Sequence, residues 1–212
     1  MRIAPPPPDR PVAPRFREVP AGGRLVRIFD PSRWSVTPLA FRGYGPLRRF
    51  DHHRGTGFEH EPGGDPDRSV YYAAWSSDLS QALSSCLVEV FGDTGVVEVG
   101  DRRVAIPTVT RPLRLLDLRS RGAMRAGTVA AVAKCEHRLS QAWSRYFYET
   151  TVDFDAIDGL LYLNAHNDEP AVMLYERGAG ALRCADEDVV RLDDPRLRPL
   201  LTELVRANNL LW

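Results

Sequence analysis

Proline and glycine break the chain so often between Asp30 and Arg68 that no long helix or strand fits there, and the fold has to be assembled around that irregular stretch. Ahead of it "RLVRIF" reads as a strand, and behind it "SVYYAAW" reads as another by its Val, Tyr and Trp content. The interval itself holds two loops, "DPSRWSVTPLAFRGYGPLRRFDHHRG" and "TGFEHEPGGDPDR". The first is a candidate functional loop, because binding groups are carried on connections more often than in cores. In "SSDLSQALSSCLVEVFGDTG" the apolar residues Leu79, Ala82, Leu83, Cys86, Leu87 and Val90 recur at three and four positions. That is a helix, with Ser or Asp as its N-cap and Gly92 as its stop, and it places Glu89 near the helix end beside the apolar face. "GVVEVG", "RVAIPTV" and "LRLLDL" are short strand-like runs, and "MRAGTVAAVAKCEHRLSQAWSRYFYE" is the longest helical stretch, open to division. "DGLLYLNA" and "AVMLYERG" are two strands around the turn "HNDEP", and the tail from Asp194 with Pro195 at its first turn is a closing helix. Strands and helices alternate without the steady period of a doubly wound sheet, so the class is α+β.

A chain of 212 residues, 43% hydrophobic and 26% charged, is sized and composed for one globular domain. Residues 1–22, rich in Pro, Arg and Gly, read as a flexible extended arm, with polyproline II over Pro5 to Pro8, and the folded domain is expected over 23–212. No run approaches the ~18 apolar residues needed to cross a bilayer, and "MRIAPPPPDRPVAPRF" lacks the apolar core of a signal peptide, so the expected location is the cytoplasm. Cys86, Cys135 and Cys184 are widely spaced without any paired motif, which points to free thiols and to neither disulfides nor a metal site.

The formal net charge is zero, yet "GPLRRFDHHRG" packs three arginines and two histidines into one short stretch. A nucleic-acid surface shows itself as an excess of basic residues over a domain, which is absent here. The reason for the cluster is local. "DHH" resembles the Asp-His-His triplet of metal-dependent phosphoesterases, but those sites need further Asp clusters on buried strands. His52 and His53 instead orient the loop or contact a ligand. No phosphate-binding P-loop, dinucleotide fingerprint, serine nucleophile elbow or zinc-protease helix occurs. What remains is dispersed: Arg27 inside "LVRIF", Arg49 in the loop, Tyr71 and Tyr72 in the following strand, and Glu89 in "CLVEVF". An unpaired guanidinium is very costly to bury, so Arg27 faces either solvent or an anionic partner.

Taken in order, these pieces resemble the RES family of bacterial toxins, whose members belong to toxin–antitoxin pairs. The resemblance runs from about Arg24 to Arg177 and rests on "LVRIF", "YGPLRRFDHH", "VYYA", "ALSSCLVEVF", "LRLLDL", "SQAW", and "DGLLYLN" followed by "AVMLYE". It implies a fold related to ADP-ribosyltransferases and consumption of NAD, as substrate and with no further cofactor, by cleavage of its nicotinamide–ribose bond. The site it implies has Glu89 as the carboxylate beside the ribose, Arg49 and Arg27 on the pyrophosphate, Tyr71 against nicotinamide or ribose, and Asn164 and His53 as further contacts. In the family pattern the loop reads like Gly-Gly-Arg-Trp-Asn, which places its arginine at Arg49 with Arg48 one residue away. The distance from the strand to Glu89 is longer here, which leaves Tyr71 and Tyr72 both open. Asn164 stands where the family serine falls. It keeps hydrogen-bonding capacity but supplies no hydroxyl. Water, phosphate and a protein side chain are all open as acceptor, and a silent nucleotide-binding module is the reading of another class. The resemblance also implies an antitoxin partner with a helix-turn-helix part, leaving this chain without direct nucleic-acid contact; a homo-oligomer or a toxin–antitoxin hetero-oligomer fits equally.

Overall fold

The computed structural model describes residues 3–33, 36–54 and 63–212; residues 56–62 of the loop "TGFEHEPGGDPDR", and Trp34 and Ser35 of the loop before it, lie outside the described residues. In chain order the elements are β1 (Phe16–Val19), β2 (Arg27–Phe29), β3 (Tyr44–Gly45), β4 (Gly63–Gly64), β5 (Val70–Ala74), α1 (Leu79–Phe91), β6 (Arg103–Ala105), β7 (Thr108–Val109) and β8 (Leu113–Asp117). There follow α2 (Arg121–Arg125), α3 (His137–Glu149), α4 (Thr151–Phe154), β9 (Gly159–Leu163), β10 (Pro170–Tyr175), β11 (Leu182–Arg183), β12 (Val189–Arg191) and α5 (Arg198–Ala207). The class is α+β, as the irregular interleaving implies.

The main sheet has the order β1-β8-β9-β10-β5, with β8 and β9 parallel and the other neighbours antiparallel. Its centre is the hairpin of β9 and β10, in which Leu160 pairs with Met173 and Leu161 with Val172. Successive strand residues point to opposite faces, and all four are fully buried, so this sheet is covered on both sides. One face packs with Trp143 and Phe147 of α3, four residues apart on one stripe of that helix. The other packs with Leu25, Val109 and Leu182 from outside the sheet. Gly159 opens β9 because a Cβ there would lie 2.2 Å from the Met173 carbonyl oxygen, closer than any side chain tolerates. A smaller sheet, β12-β6-β2, is joined to β5 through paired hydrogen bonds between Val26 and Ala74, and α1 and α5 close a further core over it.

Asp78 caps α1 by accepting the Ser80 N–H at 2.8 Å, and Gly92 ends it, as the spacing predicts. The long helical stretch is divided: Gly127 at φ +89° separates α2 from a short 3-10 turn, and α3 starts only at His137. "GVVEVG" is not a strand. Gly95 and Gly100 sit at positive φ and leave only a single bridge from Val96 to Leu211. The closing helix begins at Arg198, since the Asp194 carboxylate is occupied by the Arg196 backbone and guanidinium in a turn of its own.

The stretch expected to be a free arm is instead laid on the domain wherever it is described. β1 pairs with β8 along its whole length, with Val19 fully buried. Ahead of it, the Ala4 carbonyl accepts the indole N–H of the buried Trp143 at 3.0 Å, and Ala13 donates its N–H to the Arg125 carbonyl at 2.8 Å. The proline-rich composition hides this, because extended backbone needs only an edge to pair with.

His52 and His53 are swallowed. His52 is fully buried between Tyr148 and Tyr175, and its Nε2 lies 3.0 Å from a Glu176 carboxylate oxygen. Burial holds its pKa below the ordinary value in spite of that carboxylate, so the ring is neutral and donates from Nε2. His53 has both ring nitrogens buried with no hydrogen-bond partner among the described residues, and burial pushes its pKa down to about 4.

Two expectations about stability follow. A chain beginning at Gly23 should be less stable by at least about 2 kcal/mol, the value of burying Val19 alone, with an added penalty for the orphaned Trp143 N–H; urea unfolding with an unchanged midpoint would contradict the docked segment. In the unfolded chain His53 binds a proton near pH 6.5, and in the folded chain only near 4, so the unfolded state holds more protons between these values. Stability should therefore fall as pH drops from about 6.5 to about 4, by about 3 kcal/mol from this ring, and His53→Gln should flatten the slope of the urea midpoint against pH.

Candidate active site

At one end of the main sheet the side chains are small. Ala171 pairs with Tyr162 on one side and with Ala74 on the other, and Ala73 lies beside them. The hollow they leave is a cleft of about 360 Å³, walled by α1, by the loop from Arg42 to Asp51, by the first turn of α3 and by the turn after β9. Arg42, Arg48 and Arg49 enter it from the loop, His137 from α3, His166 from the turn, and Ser85 and Glu89 from successive turns of α1. Tyr72 and Tyr162 complete the wall.

Glu89 is exposed to solvent and yet crowded by the cleft walls. That crowding raises its carboxyl above the usual carboxylate range, opposed by the positive fields of His166, Arg49 and Arg48. His137, near the same arginines, is held below the ordinary histidine value, chiefly by burial and then by their charge. Arg42 is ion-paired with the buried Asp51, and Arg49 donates to the Cys135 carbonyl. Arg48 has no ion pair and no side-chain hydrogen bond among the described residues, although its own carbonyl is held by Gln141 at 2.9 Å. Cys86 faces the cleft with its thiol pushed up to about 12 by burial, so it is no nucleophile. Among the described residues no group of three His, Cys, Asp or Glu side chains is placed to hold a metal ion.

Of the residues named from sequence, Glu89 and Arg49 line the cleft, and Arg48 joins Arg49 there. Arg27, Tyr71, His53 and Asn164 do not. Ile28 faces the cleft, so its strand neighbour Arg27 points to the opposite side, where it donates to the Ala40 carbonyl at 2.8 Å and lies 4.4 Å above the Tyr71 ring. Tyr71 is fully buried with its hydroxyl on the Pro38 carbonyl at 3.0 Å, and burial pushes its pKa up to about 12. Tyr72 is the tyrosine at the cleft. Asn164 is fully buried. Its Oδ1 accepts the His166 and Asn167 N–H groups at 2.9 Å each, and its Nδ2 donates to Ser85 Oγ at 3.1 Å. It shapes the turn that carries His166. Arg42, Ser85, His137, Tyr162 and His166 were not singled out from sequence. Only Ser85 left a signal there, being one helical turn before Glu89.

Compared with known proteins, the chain matches no curated protein. One solved structure, titled the crystal structure of the M. tuberculosis MbcT-MbcA toxin-antitoxin complex, has a chain similar at 15% sequence identity and TM-score 0.48, covering 90% of this chain and 92% of that one. The RES domain family matches residues 24–196, which takes in every element from β2 to β12 and the whole cleft. The chain belongs to the RES domain family.

Proposed function

We propose that the chain is an NAD-cleaving enzyme, and the toxin of a toxin–antitoxin pair. The observation that carries this is the placing of one partly desolvated carboxylate, Glu89, in a cleft with three arginines. NAD presents both complements at once, a doubly charged pyrophosphate for guanidinium groups and a ribose that turns cationic as nicotinamide leaves. Arg48 and Arg49 grip the phosphates. Glu89 faces the ribose. The carbon–nitrogen bond breaks with its electron pair leaving on nicotinamide; the ribose carbon then takes a bond to an oxygen of water or inorganic phosphate, whose proton passes to solvent. The carboxylate stabilises the developing charge electrostatically and is not consumed. In this reading Arg27, Tyr71, His53 and Asn164 support the walls without touching the ligand. The antitoxin covers the cleft, where Leu47 and Tyr44 on the loop and Val90 on α1 leave apolar surface exposed at 44%, 53% and 41%.

Expression without an antitoxin should arrest growth and lower cellular NAD, and purified protein should release nicotinamide from NAD, with a phosphate requirement separating phosphorolysis from hydrolysis. Glu89→Gln keeps shape but loses the charge. Its turnover should fall by roughly 10²- to 10³-fold with NAD affinity little changed. A folded variant that turns over at the parent rate removes Glu89 from the chemistry. Because Glu89 must be ionised and its pKa is raised, the rate should fall on the acid side at a pH above the ordinary glutamate range. Arg49→Lys, which loses the planar fork, should weaken NAD binding by about 1 to 3 kcal/mol, read by calorimetry, whereas Arg27→Lys should weaken it far less.

A further inference from the structure

The side chain of Asp51 is completely buried, and four donor groups converge on its carboxylate. Arg42 Nη2 donates to both oxygens at 2.8 and 2.7 Å, and the Tyr72 hydroxyl donates to Oδ1 at 2.8 Å. The backbone N–H groups of Leu47 and Arg48 donate to Oδ2 at 2.6 and 2.8 Å. Two successive loop N–H groups aimed at one oxygen form the kind of concave cradle that binds anions. Here the anion is part of the chain. We propose that Asp51 is a positioning residue, a resident anion that fixes the loop carrying Arg48 and Arg49 and occupies both the loop N–H cradle and Arg42, so that ligand phosphates are met by the Arg48 and Arg49 guanidinium groups and not by loop N–H groups.

The remaining contacts of the loop agree with that role. The Tyr72 hydroxyl accepts the Phe50 N–H at 3.1 Å, Ser144 donates to the Phe50 carbonyl at 2.7 Å, and Gln141 holds the Arg48 carbonyl. Each ties the loop backbone, and none uses the Arg48 guanidinium. Asp51 also cancels one of the three arginine charges, leaving two on Arg48 and Arg49 to match one negative charge on each phosphate. A loop already fixed before binding spares the ligand the entropy of ordering it.

The proposal rests on the reading of the cleft as an NAD site, so its test has one readout that needs no NAD. In Asp51→Asn the amide offers one acceptor oxygen and turns an N–H₂ toward donors. Hydrogen exchange at the Leu47 and Arg48 amides should accelerate by about tenfold or more. In the same protein KM for NAD should rise about 10- to 100-fold while kcat stays within about threefold, the signature of lost binding shared by ground and transition states. Amides that stay protected overturn the positioning role whatever the substrate is. Exposed amides with an unchanged KM overturn its connection to the ligand. If wild-type protein releases no nicotinamide, the NAD reading fails and amide exchange alone decides the role of Asp51. If Asp51→Asn does not fold, Tyr72→Phe removes a single donor from the same carboxylate. It should raise KM in the same direction by about two- to fivefold, and an unchanged KM there counts against the proposal.

Discussion

The burial of both faces of the β9–β10 hairpin is the constraint on which the rest of the molecule depends. Leu160 and Leu161 are neighbours on one strand and both are completely buried, so neither face of the sheet can be left to solvent. α3 supplies one cover, and Leu25, Val109 and Leu182 from outside the sheet supply the other. Where the sheet runs out of large side chains, at Ala171, Ala73 and Ala74, the cover has nothing to press against, and the gap between α1 and the arginine loop stays open. The cleft is therefore a consequence of small side chains on two adjacent strands, β5 and β10, and charged residues of the loop, α1 and α3 line its walls.

In a chain of zero net charge, the basic groups around the arginine loop are in large part paired locally. Arg42 is neutralised by Asp51, Arg54 by Asp65 and Asp67, Arg68 by Glu149, and Arg111 by Asp158. Most of these pairs are half exposed, and each is worth little as stabilisation. Their larger effect is on the field. With those charges cancelled at short range, the unpaired Arg48 and the Arg49 guanidinium stand across the hollow from Glu89 and Asp93, so its walls carry both signs rather than a uniformly basic surface.

The α1 helix and the central hairpin were legible in the sequence because each carries its own period, three to four residues in one and an apolar run about the turn "HNDEP" in the other. Glu89 and Arg49 were legible through the order of short pieces that makes up the family resemblance. Strand parity was not. Arg27 and Ile28 are adjacent in sequence, and nothing local says which faces the hollow. Tyr71 and Tyr72 pose the same problem, and one hydrogen bond settles each: Tyr71 reaches the Pro38 carbonyl, Tyr72 reaches Asp51. Arg42, His137 and His166 were invisible for a different reason. They come from a loop, a helix start and a hairpin turn far apart in the chain, and only the closure of the sheet gathers them. The docking of the proline-rich segment was equally hidden, since extended backbone has no periodic signature until an edge strand accepts it.

Glu89 occupies a position that helix energetics disfavour. It lies in the last turn of α1, where the partial negative charge of the unsatisfied carbonyl groups repels a carboxylate by typically 0.3 to 1 kcal/mol. Asp93 follows one turn on and adds to that repulsion, and the cleft walls remove part of its hydration. His166, Arg48 and Arg49 offset these costs from outside the helix, with no ion pair to the carboxylate among the described residues. In the proposed reaction, positive charge developing on the ribose would gain from this carboxylate as it forms, which is the condition for stabilising a transition state rather than a bound ligand. Local rules are broken at functional positions when the surroundings over-determine them. Among the buried side chains of those surroundings, Asn164 accepts the N–H groups of the His166 turn, and Asp51, Gln141 and Ser144 hydrogen-bond the backbone of the arginine loop.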